Sequence, residues 1–400
     1  MKRGTMLARL IKSAALIIWD EALMSHRRCF EAVDRSMRDV LSEDNQELAL
    51  LPFGGKVMVL GGDLRQILPV VEGGVRSQTV NAAVTSSHLW AHAQVLHLNI
   101  NMRLKAPSLD PNSAVQLAHF SDFVLAVGDG TFPAVRRGDE TEASWIELRL
   151  DLMIMEGDNK IRAMIEAVYT DFPDKFMDPT YLCDRAILCP THDVCDEIND
   201  VMLTMVPEQA REYLSYDCVS KISEKFSDME AIYSIEYLNM LSVNNYPEHR
   251  LVLKKGILIM LLRNLNPSDG LCNGTRMLIT DLGDRLIEAR ILTGSNVGET
   301  VYIPKIMLCT KNKKWTFSLE RRQFPIRVCY AMTINKSQGQ SLNVVGLYLR
   351  NTVFSHGQLY VALSCVTSRA GLKIVIEDDK QNYTRWTKNI VYREIFGSLQ

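Results

Sequence analysis

LIIWDEALM, residues 16–24, is the most informative stretch of this chain. Its first four residues are apolar and predict a strand that is buried on both faces, and Asp20 and Glu21 follow at the C-terminal end of that strand. Open α/β sheets bind ligands at this edge. An Asp-Glu pair there suits nucleotide hydrolysis, because one carboxylate can hold a hydrated Mg²⁺ and the other can orient or deprotonate the attacking water. The alternative is that Asp20 only caps the helix that follows.

A second strand, predicted at residues 56–60 (KVMVL), ends in a similar way. It leads into the glycine pair 61–62 and then into Asp63 and Gln66. Glycines directly after a strand let the backbone approach a ligand closely. Because the ends of parallel strands meet at one edge of a sheet, we expect Asp63 and Gln66 in the same crevice as the Asp-Glu pair.

A third strand is predicted at residues 95–99 (VLHLN), and Arg103 follows it. His97 lies inside this strand, which favours a core histidine over a ligand. Strands that end in polar residues and are separated by helical stretches indicate a parallel, doubly wound sheet. The helix predicted around residues 30–41 carries arginines on its polar face, and the interleaved acidic residues favour a solvated face over a nucleic-acid-binding patch.

The composition is typical of a globular protein of two or three domains, with 400 residues, 47% hydrophobic and 23% charged. A net charge of −2 gives no overall attraction to nucleic acid, so such binding would depend on a local basic groove. Nine cysteines without a CxxC pair argue against a zinc ribbon and a disulfide framework, and they favour free thiols in a reducing compartment. The chain contains no run of about 18 apolar residues, so no membrane span is predicted.

A second α/β unit begins at residues 186–190 (AILCP) and resumes with strands at 344–349 and 372–377. Between residues 237 and 324, short β-rich runs separated by turn residues predict a small barrel set into this unit. The loop at 331–342 (AMTINKSQGQSL) precedes the resumed sheet. Its hydroxyls, amides, ammonium group and backbone N–H groups are donors that bind phosphate oxygens, although the loop in isolation could also be an ordinary polar turn.

Six stretches follow one another along nearly the whole chain: LIIWDEALM, GGDLRQILPVV, NMRL, MLLRNLNPSDGLCNGTR, RRQFPIRVCYAMTINKSQGQSL and LYVALSCVTSRAGL. In this order they resemble the motifs of the petite-integration-frequency (Pif-type) superfamily-one DNA helicases. The resemblance is closest to the helicase portion of Helitron-like transposons, which are eukaryotic rolling-circle elements.

The resemblance implies an α/β fold with two RecA-like parallel-sheet domains, ATP between them, and a small SH3-like β-barrel inserted in the second domain. The first domain, which is incomplete, takes residues 1–105. The second takes residues 106–236 and 325–400, and the barrel takes residues 237–324. The implied activity is ATP-dependent 5′-to-3′ movement on single-stranded DNA with unwinding of duplexes, in DNA repair, recombination, telomere maintenance or transposition.

The resemblance also assigns roles to single residues. Asp20 is similar to the family's Mg²⁺ ligand and Glu21 to its catalytic base. Gln66 resembles the residue that senses the γ-phosphate, and Arg103 resembles the guanidinium that reaches the same phosphate. Further residues for the nucleotide are Asp63, Gln338 and Gly339, and those for DNA are Thr333, Lys336 and Ser337. The sequence alone leaves the division of the loop between ATP and DNA open.

The expected cofactors are therefore ATP and Mg²⁺, and the expected partners are single-stranded and forked DNA. We expect no membrane partner and no obligate protein partner. The expected location is intracellular, with the nucleus preferred to the mitochondrion.

The chain departs from the family at two points. No GxxxxGK[ST] loop precedes the Asp-Glu pair or occurs elsewhere, since the single Gly-Lys pair, Gly55-Lys56, lacks the other glycine and the hydroxyl. We therefore expect an N-terminally truncated chain that binds ATP poorly and has an unstable first domain with uncovered strand edges. The second departure is Cys365, where the family usually has an arginine, because a thiol cannot supply that charge.

Two hypotheses follow from these observations. The preferred one is an ATP-dependent DNA helicase whose sequence is truncated and impaired. The alternative is a catalytically dead, transposon-derived remnant that still binds nucleic acid through the 331–342 loop and the barrel. A scaffold with neither activity has no feature of the sequence in its favour.

Overall fold

The computed structural model describes residues 3–43, 45–105, 110–220, 233–243, 245–310 and 315–399. Its α-helices are Met6–Ser13, Arg27–Leu41, Arg76–Ala82, Pro111–Gly128, Lys160–Val168, Phe172–Lys175, Pro179–Cys183, His192–Met205, Ile235–Met240 and Gln358–Ser364. Among these described residues, no helix is both long and apolar enough to cross a membrane. We call residues 3–105 the N-terminal part and residues 110–399 the C-terminal part.

The N-terminal part is built on two parallel strands, Leu16–Trp19 and Val57–Leu60, close to where the sequence predicts them. The strands pair in register along their whole length, so they end together. Asp20 and Gly61 therefore follow at the same edge of the sheet. This edge is the one at which parallel sheets hold their ligands.

The first strand is not buried on both faces. Ile17 and Trp19 pack against the cluster formed with the helix Arg27–Leu41, and the ring of Phe30 lies 4.5 Å from that of Trp19. Ile18, which points to the other face, is 68% exposed. The prediction of a doubly buried strand is therefore wrong, because the described residues cover one face of this sheet only.

The strand predicted at residues 95–99 does not form. These residues have no regular secondary structure, and the side chain of Leu98 is 99% exposed. A strand needs a neighbour for its N–H and C=O groups, and none of the described strands pairs with this segment. His97, predicted to lie in the core, is exposed for the same reason.

A four-stranded parallel sheet forms the centre of the C-terminal part. In spatial order its strands are Ala331–Thr333, Arg185–Cys189, Val344–Leu349 and Leu372–Ile376. Side chains of the helices Lys160–Val168 and His192–Met205 share a core with it. The parallel pairing confirms the predicted α/β class. Residues 331–333 of the predicted 331–342 loop form the edge strand, and the part that follows, which we call the 333–340 loop, begins where this strand ends.

A short antiparallel sheet brings the end of the chain back towards the N-terminal part. It joins Trp386–Lys388, Trp145–Glu147 and Ala134–Val135. The guanidinium of Arg137 lies between two tryptophan rings of this sheet, 4.6 Å from Trp145 and 4.5 Å from Trp386. The chain then ends in the helical turn Arg393–Leu399, whose Ile395 is buried among residues of the N-terminal part.

Antiparallel strands make up the β-rich segment of the C-terminal part. The first sheet has the order Thr300–Pro304, Leu286–Ile291, Arg276–Leu282, Leu258–Leu261 and Ile326–Val328. The second has the order Ile306–Thr310, Leu319–Gln323 and Tyr216–Val219. The third pairs Arg211–Leu214 with Arg250–Leu253. The pairing thus extends beyond the predicted range 237–324, because strands within 211–219 and 326–328 join these sheets. Residues 244 and 311–314 of that range lie outside the described residues, as does the predicted domain start at residue 106.

Candidate nucleotide and DNA site

The turn after the first strand holds Asp20 and Glu21 beside the end of the second strand. The N–H of Ala22 donates to the Gly61 carbonyl at 2.9 Å, and the N–H of Gly61 donates to the Trp19 carbonyl at 2.9 Å. Glu21 has φ 47° and ψ 36°, a left-handed conformation that is unfavourable for residues other than glycine. These backbone bonds hold Glu21 in that conformation, and residues held in this way are common at functional sites.

The carboxylate of Glu21 lies in a cleft between the two parts of the chain. A Cβ added at Gly339 would lie 3.5 Å from Glu21 Oε1, so the carboxylate and this glycine are in near contact. Burial raises the pKa of Glu21, and the negative charges of Asp20 and Asp63 raise it further. A carboxylate whose pKa is raised towards neutrality is a stronger base than an ordinary one.

Asp63 and Gln66 lie in the turn 63–66 directly after the second strand. Asp63 Oδ1 accepts the N–H of Arg65 at 3.0 Å, and Asp63 Oδ2 accepts the hydroxyl of Tyr360 at 2.6 Å. The N–H of Gln66 donates to the Asp63 carbonyl at 3.0 Å. Gln66 Oε1 is buried and has no hydrogen-bond partner among the described residues. A buried oxygen of this kind needs a donor, which a bound water can supply.

Arg103 reaches from the N-terminal part to the other side of the cleft. Its Nη2 donates to Ser341 Oγ at 3.1 Å. Cys365 is 3% exposed, and its Sγ lies 3.3 Å from Ser337 Oγ. Burial raises the pKa of this thiol to about 11, and the charge of Arg103 acts in the opposite direction. The thiol is therefore neutral. The positive charge near position 365 comes from the guanidinium of Arg103.

Thr333, which is 7% exposed, and Lys336 line a pocket together with Arg327. Lys336 Nζ donates to Asn273 Oδ1 at 3.3 Å. Burial lowers the pKa of Lys336, and the charge of Arg263 lowers it further. A partly desolvated ammonium group among other cations favours an anionic partner, and a DNA phosphate is one.

Ser337 does not reach the surface, although the sequence predicts it to bind DNA. It is fully buried, its hydroxyl donates to the Ile334 carbonyl at 2.8 Å, and it lies next to the Cys365 thiol. The hydroxyl closes the turn, so it does not face the surface, and the DNA-binding role of Ser337 stays a prediction. Gln338 behaves differently, because its Oε1 is buried without a partner among the described residues, as is that of Gln66.

The acidic residues of the cleft suit a partly hydrated Mg²⁺. Within the described part of the chain, no three His, Cys, Asp or Glu side chains converge as a metal site of their own. Mg²⁺ is usually held by one or two carboxylates, with waters and phosphate oxygens completing its shell. The exposed carboxylate of Asp20 fits that donor set.

Two residues that reach this site were missed in the sequence. His356 Nε2 lies 2.8 Å from the Leu64 carbonyl, and the Tyr360 hydroxyl bonds to Asp63. Tyr360 is in the helix Gln358–Ser364, and His356 lies directly before the N-cap residue of that helix, Gly357. The available signal was HGQLY, a group of polar and aromatic residues directly before the apolar run of that helix.

Two segments of the chain match known families. Residues 1–138 match the PIF1-like helicase family, and residues 236–282 match the 2B domain of DNA helicase Pif1. The first segment contains the Asp-Glu pair, the turn 63–66 and Arg103. The second contains the strands Arg250–Leu253, Leu258–Leu261 and Arg276–Leu282 of the β-rich segment.

Individual relatives extend the similarity along the chain. The ATP-dependent DNA helicase PIF1 of Danio rerio is 25% identical over 373 residues, which cover 91% of this chain and 46% of that protein. The ATP-dependent DNA helicase PIF1 of Homo sapiens is 37% identical over 134 residues, which cover 31% of this chain and 19% of that protein. The chain thus spans about half the length of the Danio rerio protein, which it matches along most of its own length.

The fold is also similar to that of a solved structure. The crystal structure of Pif1 helicase from Bacteroides in complex with ADP-AlF3 and ssDNA matches with a TM-score of 0.60 and 18% identity, over 96% of this chain and 76% of that one. At this identity the likeness shows the fold, which is that of RecA-like helicase domains. The family matches, the relatives and the shared fold agree, and all of them make this chain similar to the Pif1-like helicases.

Proposed function

We propose that this chain is an ATP-dependent DNA helicase of the Pif type, which couples ATP hydrolysis to 5′-to-3′ movement on single-stranded DNA and unwinds duplexes. The observation that carries the proposal is the near contact between the Glu21 carboxylate and Gly339. An acidic group of the N-terminal part faces the 333–340 loop of the C-terminal part. A triphosphate in this cleft would touch both parts, so its hydrolysis would change their relative position.

Each cleft residue has a role in the proposed hydrolysis. Glu21 orients the attacking water and takes its proton, and its raised pKa supports this role. The amide of Gln66 holds the same water or the γ-phosphate. Arg103 neutralises the charge of the transferred phosphoryl group, a contribution worth about 10³ to 10⁵ in rate where an arginine is well placed. Gln338 and the backbone of Gly339 contact the phosphates from the other side.

Mg²⁺, when bound, stabilises the negative charge of the phosphate oxygens. Asp20 would hold it, because its carboxylate is exposed at the strand edge and Gly61 has no side chain there. Asp63 was also predicted to bind the nucleotide. Both of its oxygens already accept hydrogen bonds, from Arg65 and Tyr360, so we propose that it acts on Glu21 through its charge.

For DNA we propose the pocket lined by Thr333, Lys336 and Arg327, with Lys336 binding a backbone phosphate. The proposed partners are single-stranded and forked DNA. We propose DNA repair, recombination or telomere maintenance as the process and the nucleus as the compartment, which follow from the family rather than from any residue of the site.

The test uses the purified chain and a DNA fork with a 5′ or a 3′ single-stranded tail. We expect ATP hydrolysis that a single-stranded oligonucleotide stimulates, and strand separation that requires the 5′ tail. Glu21→Gln should abolish both activities, whereas the matched change Glu72→Gln at an exposed carboxylate of the same part should preserve them. Hydrolysis that survives Glu21→Gln, or unwinding from the 3′ tail alone, contradicts the proposal.

A second candidate function is DNA binding without hydrolysis. The buried, neutral thiol of Cys365 favours it, because the family usually has a cationic residue at this position. This candidate predicts binding of single-stranded DNA that weakens steeply with salt, together with no ATP turnover in the same preparation.

A further inference from the structure

The turn 63–66 of the N-terminal part is in close contact with the start of the helix Gln358–Ser364. A Cβ added at Gly357 would lie 2.3 Å from the Arg65 carbonyl oxygen and 2.6 Å from the Gln66 carbonyl carbon. These distances leave no room for a side chain. Gly357 therefore lets the backbone of one part rest directly on the peptide of Gln66 in the other.

His356 adds a hydrogen bond of fixed direction to this contact. The imidazole is fully buried, and its Nδ1 accepts the N–H of Tyr392 at 2.8 Å. The ring proton is therefore on Nε2, which donates to the Leu64 carbonyl at 2.8 Å. The Tyr392 ring stacks on the imidazole with centroids 5.3 Å apart. The C-terminal segment thus fixes both the tautomer and the position of the ring.

Tyr360, which is in the helix Gln358–Ser364, adds a second bond to this contact. Its hydroxyl donates to Asp63 Oδ2 at 2.6 Å, and the residue is 8% exposed. Burial raises the pKa of this phenol well above its ordinary value, so the hydroxyl remains a donor at every physiological pH. Asp63 is one of the two carboxylates that raise the pKa of Glu21. The bond from the helix therefore holds in place a carboxylate whose charge raises the pKa of Glu21.

The same helix also reaches the other wall of the cleft. Its C-terminal neighbour Cys365 contacts Ser337, next to Gln338. One short rigid element therefore touches the turn that holds Gln66 and the loop that holds Gln338. A shift of this element would move the two glutamines together.

We propose that His356 and Tyr360 are positioning residues that hold the turn 63–66, and with it Gln66 and Asp63, in register with the C-terminal part of the chain. The kinetic consequence rests on the proposed ATP hydrolysis, whereas the positioning itself does not. Neither side chain touches the nucleotide in this proposal. Both act through the backbone and carboxylate of the turn.

The test compares Tyr360→Phe and His356→Phe with Tyr169→Phe. Tyr169 is a matched control, because its buried hydroxyl donates to the Tyr330 carbonyl at 2.8 Å in the core of the C-terminal part. Amide hydrogen exchange is measured by mass spectrometry on the peptide that contains residues 63–66, without nucleotide. We expect exchange there to become about five- to tenfold faster in the first two variants and to stay unchanged in the control, as loss of one buried hydrogen bond predicts.

A rescue variant separates positioning from general destabilisation. His356→Gln can still donate from its side-chain amide to the Leu64 carbonyl, so we expect slow exchange to return. For ATP hydrolysis we expect Tyr360→Phe to lower kcat about tenfold while the affinity for single-stranded DNA stays constant. Unchanged exchange at 63–66, or an equal rise in Tyr169→Phe, overturns the positioning proposal. Absence of hydrolysis in the unmodified chain overturns only the proposed function, because the exchange result stands without nucleotide.

Discussion

Glu21 and Gly339 face each other across the cleft, with 3.5 Å between Glu21 Oε1 and the position that a Cβ would take on Gly339. The two residues belong to different parts of the chain, and both have left-handed backbone conformations, with φ 47° and φ 76°. Packing between the parts therefore sets the distance between these two residues. Changes at either residue should act directly on the chemistry in the cleft.

Replacing Gly339 tests this relationship. Gly339→Ala adds a methyl group beside the carboxylate and forces alanine into a left-handed conformation, which costs about 1 kcal/mol. We expect ATP hydrolysis to fall about tenfold. Gly138→Ala is the control, since Gly138 has φ 59° and nothing within 4 Å of its added Cβ. It should show a similar loss of stability with unchanged hydrolysis, and equal losses of activity in both variants would contradict the prediction.

The raised pKa of Glu21 predicts the acid limb of the pH–rate profile. The base must be deprotonated, so hydrolysis should fall as pH drops through a value above the ordinary glutamate pKa of 4.5. Asp63→Asn removes one of the charges that raise this pKa, so its acid limb should move to lower pH. Asp139→Asn, at an exposed carboxylate, should leave the limb in place. A limb that does not move in Asp63→Asn would show that Glu21 is not the titrating base.

The pKa of His356 predicts how stability depends on pH. Burial lowers this pKa below the ordinary value of 6.5. The bond to the Leu64 carbonyl and the charges of Glu394 and Asp63 act in the opposite direction, and Arg76 acts with burial. The unfolded chain therefore binds a proton more tightly than the folded one. The contribution of neutral His356 to the free energy of unfolding should be complete above pH 6.5 and should be lost as pH falls through the pKa of the folded chain. In thermal unfolding scans between pH 7.5 and about 5, the Tm of His356→Gln should fall less than the Tm of the unmodified chain. An equal dependence of Tm on pH in both proteins would show that His356 does not cause the loss of stability.

Lys336 predicts the salt dependence of DNA binding. Lys336→Ala should weaken binding of single-stranded DNA and reduce the slope of log K against log salt by about 0.7, the value for one phosphate contact on a single strand. Fluorescence anisotropy with a labelled oligonucleotide at several salt concentrations measures this slope. Lys380→Ala, at an exposed lysine in another loop, should change neither quantity. An unaltered slope in Lys336→Ala would remove this residue from the proposed DNA site.

Replacing Cys365 with arginine should increase ATP hydrolysis. Cys365→Arg introduces the cation that the family usually has, and we expect hydrolysis to rise about 10- to 1000-fold. The gain should remain below or near the low end of the 10³ to 10⁵ range for a well-placed arginine, because the surroundings are packed around a smaller thiol. Cys365→Ser keeps the size without the charge and should leave hydrolysis unchanged. A decrease in a folded Cys365→Arg protein would mean that the position no longer faces the phosphate.

Several features of the site follow from local sequence. The strands Leu16–Trp19 and Val57–Leu60 lie at apolar runs, and the polar residues after them lie at the sheet edge, since a strand's end fixes where the next side chains begin. The same holds for the parallel strands Arg185–Cys189, Val344–Leu349 and Leu372–Ile376. Six ordered motifs also sufficed to predict the similarity to Pif-type helicases that the comparisons show, because motif order needs no coordinates.

Other features of the site depend on contacts between residues that are far apart in the chain, so only the tertiary structure shows them. Whether 95–99 forms a strand depends on a neighbouring strand to pair with, and whether Ser337 faces solvent depends on the packing of Cys365. The bonds of His356 and Tyr360 to the turn 63–66 likewise arise only when the two parts are packed together. The sequence by itself therefore determined which chemical groups this protein carries and at which strand ends. The packing between its two parts decided which of those groups meet, because a hydrogen bond between residues far apart in the chain has no local sequence pattern.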